Sequence, residues 1–221
     1  MVALMIVALV LLALTADYFV LGVRRRVPSE RSVREPSNVF VAPGHMWLVP
    51  EAAGLVRVGA DAMVGLLLGA PERIEWTGSG AVKRGQALAV LHARNRRLTL
   101  RSPVDGVVVE RNTRLDPAAL AREPLGAGWL VRVRAQDLRT SLARAVSGDG
   151  LREWSRRELD RLRRFALSAM PPGAVGTTAA DGGPLGPDLV SILDEKAWTS
   201  AVKLMFDIER DLSLAAQGEQ P

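Results

Sequence analysis

Glu123-Pro124-Leu125-Gly126-Ala127-Gly128-Trp129-Leu130 is the stretch whose reading decides the fold. Two glycines flank a single residue, and a tryptophan opens the apolar run that ends at Val133. Glycine enters left-handed backbone at no steric cost. The spacing therefore predicts a tight turn with φ > 0 at Gly126 and Gly128, with Trp129 buried beneath it as the next strand begins. Working outward, residues 39–134 hold short β-type runs separated by Gly and Pro: Val39–Val41, Leu55–Val58, Arg73–Trp76, Leu88–His92, Val107–Glu110 and Leu130–Val133. Ala60–Leu68, with Ala62, Met63, Leu66 and Leu67 grouped, reads as a short helix. Gly44, Gly54, Gly69, Gly85 and the pair Asp105-Gly106 mark turns. Strands this short and this evenly punctuated predict a small barrel or flattened sandwich.

The chain has 221 residues, 48% of them hydrophobic and 24% charged, which is enough apolar material for a packed core. There is no Cys, which removes disulfides, thiolate metal sites, iron–sulfur clusters and cysteine nucleophiles together. His45 and His92 cannot by themselves build a zinc site. The net charge of +5 is made almost entirely by Arg, because Lys83, Lys196 and Lys203 are the only lysines. That skew accompanies abundant Ala, Gly and Val and reads as GC-rich coding rather than a nucleic-acid surface, and no aromatics interleave the basic residues. Paired carboxylates in a cleft motif, a Ser/His/Asp set and a phosphate-binding Gly loop are all missing. The expectation is a protein that is not an enzyme, with no metal, cofactor, small-molecule substrate or nucleic acid.

Val2–Val23 reads VALMIVALVLLALTADYFVLGV and is followed by Arg24, Arg25 and Arg26. Twenty-two helical residues span about 33 Å, the thickness of a hydrocarbon core. Nothing basic precedes the run, and Leu14 stands where a cleavage site wants a small residue. The reading is a retained anchor over residues 1–26, contacting the membrane through 2–23. The arginines that follow it orient a single-pass protein of the inner (cytoplasmic) membrane, N-terminus out and the rest cytoplasmic. Asp17, inside the span and two turns from Arg24, is a candidate contact for a partner helix. Residues 27–38 read as a polar tether.

Beyond the β region, residues 141–170 form a helical extension. Leu138–Ala145 is helical, Gly148–Gly150 a break, and Leu151–Met170 a strong helix with Leu151, Trp154, Leu159, Leu162 and Phe165 on one side. Its other face carries Arg152, Arg156, Arg157, Arg161, Arg163 and Arg164, so it either docks on the domain or lies on an anionic leaflet. Residues 171–187 are a Gly/Pro linker, and 188–221 hold a last amphipathic helix and tail. An isolated helix cannot bury such a stripe alone, so this one packs back or binds a partner.

Five ordered blocks over roughly residues 39–140 carry a specific resemblance. These are His45-Met46-Trp47; Leu55-Val56-Arg57-Val58-Gly59 with the helix and Gly69; Val82-Lys83-Arg84-Gly85; Ser102-Pro103-Val104-Asp105-Gly106-Val107-Val108; and Leu115-Asp116-Pro117 with the opening stretch. Together they resemble the glycine cleavage system H protein, of the biotinyl/lipoyl-domain superfamily. The resemblance implies a mainly β, lipoyl-like flattened barrel or sandwich, here with an N-terminal transmembrane helix and C-terminal α-helices. It assigns structural roles to His45, Trp47, Gly59, Gly85, Pro103, Gly106, Gly126, Gly128 and Trp129. It also implies a cofactor arm amide-linked to a lysine at a hairpin tip, seven residues before the residue that precedes the proline. Counting back from Ser102, that position is Asn95.

Neither a carboxamide nor a guanidinium is a substrate for lipoylation, so the expected reading is a domain without the arm. Arg94, Asn95, Arg96 and Arg97, with Arg101 nearby and His92 beside them, form a basic tip that is a candidate partner-binding surface. The preferred function is a membrane-tethered scaffold or accessory subunit of a membrane-associated complex, bound to other complex subunits. The alternatives are the family's aminomethyl/lipoyl carrier in glycine cleavage, and an envelope adaptor with a lipoyl-like domain.

Overall fold

The structure, a computed structural model, describes residues 38–77, 79–169 and 193–206. The run 2–23 with Asp17, the tether up to residue 37, the 171–187 linker and both ends of the last helix lie outside the described residues. Among the described residues no helix is long and apolar enough to cross a membrane.

Among the described residues the chain forms a 3-10 turn at Ala52–Gly54, ten strands and five α-helices. In chain order they are β1 (Phe40–Ala42), β2 (Met46–Pro50), β3 (Leu55–Ala60), α1 (Met63–Leu68), β4 (Arg73–Trp76), β5 (Ala81–Val82), β6 (Ala87–Ala93), β7 (Arg96–Arg101) and β8 (Gly106–Arg111). There follow α2 (Ala119–Arg122), β9 (Trp129–Ala135), α3 (Leu138–Ala143), β10 (Val146–Ser147), α4 (Asp149–Ala169) and α5 (Glu195–Phe206). All pairings are antiparallel. Seven strands form one sheet in the order β10-β1-β2-β3-β9-β8-β5, and three form a second in the order β4-β6-β7. The mainly β expectation of a flattened barrel or sandwich is met by these two sheets, while the expected N-terminal transmembrane helix lies outside the described residues. Leu48, Val58, Val131 and Val133 of the large sheet meet Leu88, Leu91, Leu98 and Leu100 of the small one in a single core. Alternation along each strand sends one set of side chains inward; each large aliphatic fully withdrawn from water contributes about 1.5–3 kcal/mol.

Several local expectations are corrected. The helix read over Ala60–Leu68 starts only at Met63, because Ala60 is still a strand residue paired with Met46. β2, β5, β7, β10 and α2 were not among the strand and helix runs read from the sequence. Gly148 (φ +57) is the break before α4, but Asp149 and Gly150 already belong to the helix. Gly126 and Gly128 do not adopt positive φ. Gly128 is needed for close approach instead: a Cβ there would lie 2.8 Å from the Ala119 carbonyl oxygen and 2.9 Å from that of Glu123. Gly106, likewise without positive φ, would drive a Cβ into the Arg134 carbonyl oxygen on the neighbouring strand. Trp129 is only half-buried, with the Arg132 guanidinium 5.2 Å over its ring.

The C-terminal helices both pack back. α4 buries Leu151, Leu162 and Ala166, whereas Leu159, expected on the same side, is 37% exposed at the arginine-bearing edge; α5 buries Trp198, Ala201, Met205 and Phe206. Docking, rather than an unpartnered apolar stripe, is thus the state of the described part of the last helix.

Gly59 is not at a turn. It sits inside β3, opposite Trp47 on β2, and a Cβ there would overlap the fully buried indole ring. Gly59→Ala is expected to lower stability by about 1–3 kcal/mol through overpacking. In a Trp47→Leu background the same change should cost much less, which a double-mutant cycle by urea unfolding reads directly.

Candidate functional site

The β6–β7 ladder runs from Ala87↔Arg101 to Ala93↔Arg96, leaving Arg94 and Asn95 as the two turn residues. Both are exposed, and Arg94 is held at φ +53. Because β7 alternates, Arg96 shares the face of the buried Leu98 and Leu100, while Arg97 and Arg101 point the other way.

The expected cluster of four guanidiniums at the tip is therefore not formed. Arg96 turns back onto the C-terminal helix: its Nη2 donates to the Leu193 carbonyl at 2.9 Å, and its guanidinium lies 5.2 Å over the Trp198 ring. Trp198 in turn donates from Nε1 to the Leu67 carbonyl at 2.7 Å, tying α5 to α1. Burial and the neighbouring Arg94 pull the Arg96 guanidinium below the usual arginine range. Arg101 stands at the other end of the strand and donates to the Gly85 carbonyl. Arg94, Asn95 and Arg97 remain exposed at the tip. His92, one pair back from the turn, is engaged on both nitrogens, by Arg73 at Nδ1 and Glu75 at Nε2, each at 3.1 Å.

The remaining motif residues frame this hairpin. Gly85 takes φ +82 in the turn before β6, and its N–H donates to the Ser102 carbonyl. Pro103 is buried between Ser102, whose hydroxyl donates to the Val104 carbonyl at 2.7 Å, and Asp105, which accepts from the Arg84 N–H.

A second constellation surrounds His45. It follows Gly44 in the β1–β2 loop, with both residues in left-handed backbone (φ +82 and +58). Its imidazole is fully buried, 2.7 Å from Asp61 Oδ2 at Nδ1 and 3.7 Å from Glu158 Oε2 at Nε2. Asp61 also accepts, through its other oxygen, from the N–H of Met63, the first residue of α1, at 2.8 Å. The ring is packed against Trp154 and Phe206, with centroids 5.1 and 5.4 Å away. Burial alone would push the imidazolium down, but the charge of Asp61, its hydrogen bond and the contribution of Glu158 outweigh it, raising the pKa to about 9. Glu158 is held below the usual carboxylate range, chiefly by its contact with His45 and against the effect of burial.

Of this constellation only His45 stands out in the sequence; its partners Asp61, Glu158 and Trp154 do not. A signal was present: Glu158 interrupts the apolar series Trp154, Leu162, Phe165 at stripe spacing, the mark of an acid with a buried partner. Since the ring is sealed on both faces, this cation organises packing rather than chemistry. Among the described residues no group of His, Cys, Asp or Glu could hold a metal ion.

Two antiparallel sheets that share a core, with an exposed two-residue hairpin turn, define the class of domain. The chain belongs to the glycine cleavage H-protein family, whose model matches residues 40–152. It is 31% identical over 105 residues to the glycine cleavage system H protein of Alteromonas mediterranea, covering 46% of this chain and 81% of that protein. Similarity of 30% over 106 residues, covering 47% and 82%, relates it to the glycine cleavage system H protein of Thermus thermophilus. A glycine cleavage system H-like protein of Chlamydia pneumoniae is 31% identical over 93 residues, covering 41% and 81%. A crystal structure of a glycine cleavage system H protein from Mycobacterium marinum is 26% identical, with a TM-score of 0.46, over 54% of this chain and 98% of that one.

The His45 cation sets a pH dependence. A pKa raised from 6.5 to about 9 in the folded state contributes stability that is complete below pH 6.5 and is lost as pH rises through 9. The depressed Glu158 acts in the opposite sense, its share disappearing in acid. Urea unfolding followed from pH 6 to 9.5 should show a loss on the order of 3 kcal/mol. A His45→Asn variant should be less stable at pH 6 and lack that slope.

Proposed function

We propose that this chain is an H-protein-like domain working without a lipoyl arm, as a membrane-tethered scaffold or accessory subunit of a membrane-associated complex. One observation carries the reading: the hairpin turn is Arg94–Asn95, and no lysine occurs between Lys83 and Lys196. The arm that the family resemblance implies needs a primary amine at the tip, because its attachment is an amide. A carboxamide does not supply one, so the residues present do not fit the group. The exposed Arg94 and Arg97 instead suit an acidic protein surface, where guanidinium forks bind carboxylates in pairs. The apolar run 2–23 and the arginines after it support placing the domain beside a bilayer, on its cytoplasmic side.

The carrier reading has its own support, since the family model and the named relatives are all of the glycine cleavage H type. It requires attachment at Lys83, Lys196 or Lys203.

Intact-mass and peptide mass spectrometry of the full chain, produced with an active lipoate ligase and lipoate, separates the two. The expected result is an unmodified chain, with Asn95→Lys gaining a lipoyl group at the hairpin. A wild-type chain lipoylated at any of the three lysines would overturn the scaffold reading and restore the carrier.

A further inference from the structure

The sequence leaves the basic helix α4 with two destinies, docking on its own domain or lying on a leaflet by its apolar side. The structure commits the apolar side: Leu151, Leu162 and Ala166 are buried in the protein. An amphipathic helix that has spent that face cannot insert into a bilayer in the usual manner. What it leaves outside is a charged edge. Arg152, Arg156, Leu159 and Arg163 recur at i, i+4, i+7 and i+11, which places them in one row along the helix. Arg152 and Arg156 are exposed, Leu159 is 37% exposed and Arg163 partly so.

Pairing distinguishes this row from the other arginines of α4. Arg157 is held by Glu153 and Arg161 by Glu158. Arg152, Arg156, Arg163 and the exposed Arg164 form no ion pair among the described residues, and Asp149 and Asp160 are the helix's only unpaired acids. Three guanidiniums without an ion pair among the described residues, in one row with a partly exposed leucine, make a surface suited to phosphodiester groups, which arginine binds through two parallel hydrogen bonds.

We propose that this arginine edge of α4 rests on the anionic phospholipid headgroups of the leaflet beside which the chain is anchored, by charge and without insertion. The inference deepens the tethered reading and rests on it. Residues 27–38 reach about 40 Å at full extension, so an anchored domain stays within range of the leaflet. Surface attraction of this kind acts within a Debye length, about 8–10 Å at physiological salt, and yields to added salt.

The absence of cysteine allows a direct test with the full chain. A Leu159→Cys variant is labelled with an environment-sensitive dye and reconstituted in vesicles of phosphatidylcholine, with or without phosphatidylglycerol, containing headgroup-labelled quencher lipid. A Val109→Cys variant on β8, a site 47% exposed, serves as the comparison position. The expected result is quenching at position 159 only with phosphatidylglycerol, reversed by high salt. Combining Arg152→Gln, Arg156→Gln and Arg163→Gln should weaken docking about a hundredfold, since each arginine near an anionic leaflet contributes about fivefold.

Flotation with vesicles in alkaline carbonate tests the anchor separately. A chain that floats but shows no quenching at 159, or equal quenching with phosphatidylcholine alone, overturns the headgroup contact while the tether stands. A chain that carbonate extracts overturns the tether. Salt-sensitive quenching at 159 supports the arginine edge in either case. Crosslinking of position 159 to an acidic protein in place of quenching also overturns it.

Discussion

One imidazolium between two carboxylates joins the parts of this molecule. Asp61 comes from the end of β3 and start of α1, Glu158 from α4, and the ring between them lies on the β1–β2 loop. A buried charge with good partners on both sides adds little net stability over an apolar substitute, yet removing one partner strands the others at a cost of about 3–5 kcal/mol. The arrangement therefore acts as a specification more than as glue: α4 has one seat, the one where its glutamate meets His45. The left-handed backbone of Gly44 and His45 belongs to the same constraint, because the loop conformation aims the ring inward.

The helical extension also reaches the hairpin. α5 touches the His45 ring through Phe206 near its end, and binds the β7 arginine through Leu193 and Trp198 near its beginning. Its twelve residues extend about 18 Å, so a single helix bridges the buried cation and the root of the turn. Arg96 is drawn to the protein by this helix, whereas Arg94 and Arg97 stay in water. Adjacent in sequence, Arg96 and Arg97 have opposite employment, decided by strand alternation and by what the C-terminal helix covers.

Much of the β architecture was legible because its signals are local. Arg73–Trp76 was read at its true ends, and the apolar runs around Leu88, Val107 and Leu130 found their strands to within two residues. The hairpin turn at Asn95 followed from the family spacing alone. What escaped depended on partners distant in sequence. β5 and β10 are two residues long and exist only through pairing with β8 and β1. Gly106 and Gly128 have the local pattern of turn formers and Gly59 that of a family block, yet each is a glycine because another strand, ring or carbonyl passes close by, which no local pattern reveals. Arg96 was assigned to the tip cluster from its neighbours, and Trp198, more than a hundred residues later, reassigns it.

The order of strands carries a temporal consequence. β3 has β2 on one side and β9 on the other, with Leu55 opposite Arg134, while β1 lies against β10 through Phe40 and Ser147. A ribosome delivers β1 to β3 some seventy residues before the strand that must flank them. Until then the outer backbone edges of β1 and β3 lack β10 and β9, the strands that pair with them, and non-local pairing of this kind is associated with slow closure and with vulnerability to foreign strands.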